Sequence, residues 1–167
     1  MALQEKALEL ITILGSKNGL ERKESRKKLV KMGKQVVKFL EQEYENINED
    51  KNETFRWELI KSLQQIGAPS SIPIFIKALE DEESDIRWLA AEGLINVGVD
   101  SIEPLLKELV KNSDSIFVCA GAHHVFHDFK KKRILPVGFP VDKLLSALKN
   151  PGWSGNVKTT AYEILEK

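Results

Sequence analysis

The chain has 167 residues, 42% of them hydrophobic and 30% charged, and its 25 basic and 25 acidic residues balance to a formal net charge of zero. This composition excludes a disordered polymer and supplies enough apolar surface for a core. It also lacks the basic excess usual in proteins that coat nucleic acids or membrane surfaces. The N-terminal stretch MALQEKALELITILGSKNG carries charges inside its apolar run, which reads as a helix and not as a secretion signal. No run approaches the roughly 18 apolar residues of a membrane span. With Cys119 as the single cysteine, no intrachain disulfide is possible and a reducing, cytoplasmic setting is expected.

Further elements emerge from self-comparison. Gly33, Gly67 and Gly98 are spaced 34 and 31 residues apart. Eleven residues before them stand Arg22, Arg56 and Arg87, and four before them Leu29, Leu63 and Leu94. Pro73 and Pro104 follow the second and third glycines by six residues. Apolar residues at helical spacing, such as Ile86, Ala90, Leu94 and Val97, precede each glycine, which closes the helix. The prolines then open the next helix, where a missing N–H costs little. Thr54 and Asp85 are candidate caps for the arginine-bearing helices. The spacing predicts five helix pairs. Residues 2–46 hold the first pair and the opening helix of the second, followed by units at 52–80, 84–111, 114–149 and 154–166. Residues 156–165 align with 85–94 and put Lys158 in the arginine place, whereas the fourth unit puts Phe117 there. An insert loop is expected at about 130–140, where Pro136, Gly138 and Pro140 precede a helix around Val141–Leu148.

The pattern Leu79-x-Asp81-x5-Arg87, followed by Ala90, Ala91, Leu94 and Gly98, resembles HEAT repeats, and among them the short PBS-lyase-like type. The resemblance is clearest over about 50–111, where Asp50, Arg56, Leu63 and Gly67 supply the preceding unit. It implies an all-α fold, a right-handed α-α superhelix of about five helix pairs spanning 1–167 as one domain. It also implies that Asp50, Arg56, Asp81 and Arg87 form a structural ladder between repeats. An arginine fork is suited to joining a carboxylate and helix-end carbonyls.

Binding candidates follow from a helical wheel at about 100° per residue. Ten residues before the glycines stand Trp57 and Trp88, nearly opposite the apolar stripe. Lys61 and Gln64 share that face on one helix, Glu92 and Ile95 on the next, and Lys23, Lys27 and Val30 on the first. In HEAT-like arrays the second helix of each pair lines the concave surface. Two tryptophans there, with an accessible Ile95, would make a binding anchor of large apolar area.

Cys119, His123 and His127 are spaced i, i+4 and i+8, with His124 beside them. One straight helix extends about 12 Å over eight residues, too far to wrap three side chains round one ion. His123 and His127 could bind an ion together only with a third ligand from elsewhere; no metal and no cofactor is expected, and the His-Glu dipeptides of HEAT-like iron hydroxylases are absent. No nucleophile–base set, phosphate loop or dinucleotide fingerprint is visible. The basic run Lys130–Arg133 beside the insert is a second candidate patch.

The expected function is a non-enzymatic, monomeric module that binds a protein or peptide along its concave groove. A nucleic-acid or glycosylase-like role and a bilin-lyase-like assembly role are the alternatives that the resemblance suggests. Charge is distributed unevenly: 10 basic and 4 acidic residues in 1–40, 7 and 17 in 41–114, and 8 and 4 in 115–167. An acidic centre disfavours a nucleic acid running the full length.

Overall fold

The structure, a computed structural model, describes residues 2–47, 52–149 and 154–167. Those residues form ten α-helices and no strand. They are α1 (Leu3–Ile13), α2 (Gly19–Met32), α3 (Val37–Glu45), α4 (Glu53–Ile66), α5 (Ile72–Ala78), α6 (Ser84–Val97), α7 (Ile102–Lys111), α8 (Ile116–Lys132), α9 (Val141–Leu148) and α10 (Ser154–Leu165). Successive helices pair, and the pairs stack as an α-α solenoid, each burying its apolar face against the next.

Two rows result. The second helices α2, α4, α6 and α8 lie side by side, and the first helices α1, α3, α5 and α7 form the other row. Over α1–α8, contacts between neighbouring second helices are much more extensive than those between neighbouring first helices. A row packed more tightly than its companion lies on the inside of a bend, so the second helices present the inner face. Close approach is built into the sequence at Gly93, where an added Cβ would lie 2.5 Å from the Phe75 ring.

Gly33, Gly67 and Gly98 end α2, α4 and α6 at φ of 64°, 65° and 85°, a region that side chains disfavour. Short 3-10 turns then lead into the next helix. The caps differ from expectation. Thr54 and Asp85 lie inside the first helical turns. Asn52 caps α4 by accepting from the Thr54 N–H at 3.0 Å. Before α6, Asp81 Oδ1 accepts from the Glu83 N–H at 2.9 Å. In both cases a residue slightly earlier in the chain reaches the free amide first.

The fourth and fifth units depart from the repeat. α8 has 17 residues against 14 in α2, α4 and α6, so Lys130–Lys132 belong to its last turn and the insert runs over 133–140. Phe139 of the insert stacks on Phe126 at 5.7 Å between centroids. The turn brings α9 back along α8, and α10 then packs on α9 and α7. The alignment of 156–165 with 85–94 is therefore corrected. α10 packs beside α7 in the row of first helices, although its buried Val157, Thr160 and Ala161 match the aligned Ile86, Leu89 and Ala90; Lys158 is exposed.

Candidate functional site

Arginines near the starts of the second helices tie them to the neighbouring turns through part-buried hydrogen bonds and ion pairs. Arg22 Nη1 donates to the Ser16 carbonyl at 2.8 Å, and Arg87 Nη1 to the Asp81 and Glu82 carbonyls at 2.7 and 2.8 Å. Each arginine thereby ties its helix to the turn six residues back. Arg56 reaches forward into the next unit, with Nε and Nη2 donating to Asp81 at 3.0 and 3.2 Å and Nη2 also to Glu82 at 3.2 Å. Asp50 lies outside the described residues.

The residue at this place in the fourth unit is Cys119, which corrects the alignment on Phe117. Cys119 Sγ donates to the Ser113 carbonyl, again six residues back, at 3.4 Å. Burial, with Asp114 and Glu80 nearby, pushes its thiol pKa up. The Phe117 ring sits under the Arg87 guanidinium at 4.0 Å.

Between α2 and α4 lies Glu58, a carboxylate only 4% exposed. It accepts from Arg22 Nε at 3.4 Å and from Arg26 Nη1. Arg26 in turn covers the Trp57 ring at 5.4 Å. A buried charge needs such pairing, because solvation is otherwise lost without return. The consequence for the tryptophans is direct. Trp57 is partly buried against the core, while Trp88 on α6 is 56% exposed. Ile95 is a further correction: it is 7% exposed, because α6 is flanked by α4 and α8 and its buried arc extends to that position.

Glu92 of α6 meets His124 of α8, with Oε1 and Nε2 2.7 Å apart. Neither the Glu92 nor the Glu58 partner is evident from local spacing in the sequence. A signal existed: Glu58 is 32 and 36 residues from Arg26 and Arg22, and Glu92 is 32 from His124, each about one repeat. His123 and His127 stack at 6.1 Å. Burial first, then the charges of His127, Lys149 and His124, pushes the His123 pKa down. Among the described residues no group of three His, Cys, Asp or Glu side chains is arranged to hold a metal ion.

Lys23 and Lys27 are exposed on α2, and Lys61 is half-buried on α4. Lys27 pairs with Glu24 at 2.8 Å. Clefts open elsewhere, between α5 and α7 around Pro73 and Pro104, and between the insert and α10 around Phe139 and Tyr162. Among the described residues the inner face carries one projecting indole, that of Trp88. No helix among the described residues is long and apolar enough to cross a membrane.

A family profile described as HEAT repeats matches residues 37–123, about half of the chain. No curated protein matches the chain.

Proposed function

Because the chain belongs to the HEAT-repeat family, we propose that it is a non-enzymatic interaction module that holds a protein partner along its inner face. One observation carries this reading: Trp88 projects from the centre of the second-helix row with more than half its surface exposed. An indole brings large apolar area at low side-chain entropy cost, which is what a binding hot spot requires. Around it, Lys61 and the Glu92–His124 pair supply a polar rim. The Leu79, Asp81 and Arg87 pattern supports placing the array with the short PBS-lyase-like type. Cys119 as the single, buried thiol fits a cytoplasmic setting.

Photo-crosslinking tests the reading. A benzophenone amino acid at position 88, compared with one at Lys107 on the outer row, is expected to capture a protein from the native cell only at position 88. Equal capture from both positions, or capture of nucleic acid alone, would overturn the assignment of the inner face to a protein.

A further inference from the structure

The charges of this array sort by row as well as along the chain. α2 carries six basic and two acidic residues, whereas its neighbour α3 in the other row has one lysine and three glutamates. Most acidic residues of the middle segment lie off the inner face: Glu41, Glu43 and Glu45 on α3, Glu80 to Glu83 in a turn, and Glu103 and Glu108 on α7. Of the carboxylates on the second helices, Glu53 and Asp85 are exposed at the starts of α4 and α6, and three others have side-chain partners. Glu58 is held by Arg22 and Arg26, Glu92 by His124, and Glu24 by Lys27. Lys23 and Lys61 form no ion pair among the described residues, and Lys23 lies near Glu24. With α2 at six basic and two acidic residues and α4 at two of each, these two second helices are positive in sum, and the acidic centre seen in sequence order belongs largely to the other row and the turns.

Resting on the protein-docking reading above, we infer that the segment seated on this face is acidic, with carboxylates meeting Lys23, Lys27 and Lys61 and one apolar side chain landing on Trp88. Charge complementarity of this kind speeds encounter and rejects wrong partners. The glutamates of the outer row and turns repel the same segment and so steer it inwards. Neighbouring helices lie about 8–10 Å apart, so α2 to α6 is a span of about 20 Å. That corresponds to about six extended residues or about 13 helical ones.

The test uses the full chain and three labelled probes in fluorescence anisotropy at low and physiological salt. They are a 14-residue peptide of Glu and Ser with a central Leu, the same peptide with Lys for Glu, and a 14-nucleotide oligothymidine. The acidic peptide is expected to bind at least about tenfold more tightly than the lysine peptide, and to weaken with salt. Lys23→Glu/Lys27→Glu/Lys61→Glu should weaken it by at least about tenfold, and Trp88→Ala by a similar factor. If charge reversal unfolds the chain, the triple Lys→Gln variant makes the same measurement. Acidic and lysine peptides binding alike, neither binding, or no effect of the lysine substitutions would overturn the acidic-segment inference; the crosslinking at position 88 then decides the docking reading separately. Oligothymidine binding that is lost in Trp88→Ala would overturn the docking reading itself.

Discussion

Arg56 on α4 grips Asp81, in the turn before α6, through two side-by-side hydrogen bonds of 3.0 and 3.2 Å. This fork joins one repeat to the next. Asp81 also accepts from the Glu83 N–H, so one carboxylate both caps α6 and anchors α4. The two side chains are 12% and 6% exposed. Removing one member of such a pair leaves polar groups buried without their main partner. Asp81→Ala should cost about 3 kcal/mol in urea unfolding. Asp81→Asn, which keeps an acceptor oxygen, should lose less. A change within about 0.5 kcal/mol for the alanine variant would remove the ladder from the account of stability.

Tyr44 on α3 lies beside the same node. Burial, then the Asp81 carboxylate, pushes its pKa up to about 12. The folded state therefore holds the neutral phenol. An unfolded tyrosine ionises near pH 10, so the stability linked to this group is complete below that pH. It is lost as pH rises towards about 12. Ultraviolet absorbance should show a late phenol ionisation that disappears in Tyr44→Phe. Unchanged titration of the variant would contradict the assignment.

Gly93 tests the packing between α5 and α6. On helix propensity alone, Gly93→Ala should stabilise by roughly 1 kcal/mol. The Phe75 ring, 2.5–2.7 Å from the added carbon, reverses the sign. A net loss of about 1–3 kcal/mol is expected from overpacking. Combination with Phe75→Leu should cost less than the two single changes added together. Simple additivity would show that the ring is not what opposes the methyl group.

Cys119 should behave as an inert thiol. Buried and with its pKa raised, it presents little thiolate. A thiol reagent should react slowly with the folded chain and fully after urea unfolding. Rapid reaction under native conditions would place the sulfur at the surface.

The repeats were legible because a solenoid is built from neighbour contacts. Gly33, Gly67 and Gly98 mark the ends of three second helices, and Pro73 and Pro104 the starts of two first ones. The helix Val141–Leu148 likewise falls where Pro136, Gly138 and Pro140 end the insert. A helical wheel gives the faces of an isolated helix, and it fails where neighbours on both flanks decide burial. Ile95 is buried for that reason, and Trp57 is covered by Arg26, a residue 31 positions earlier. In the last pair the alignment places Lys158 at the arginine position and so suggests a second helix. The route of the chain through the insert, fixed by Phe139 on Phe126, sends α10 to the other row. The Glu58 ion pairs and the Glu92–His124 hydrogen bond show in the sequence only as polar residues about one repeat apart.

The central claim is that Trp88 anchors a protein partner on the inner face. It is tested most directly by the affinity of the partner crosslinked at position 88 for Trp88→Ala against the unaltered chain. Trp57 is left in place, since its partly buried ring contributes to the core. The account predicts binding weaker by at least about tenfold, with the urea midpoint of the free chain unchanged. Affinities within about twofold of each other, in a variant that folds normally, would contradict it.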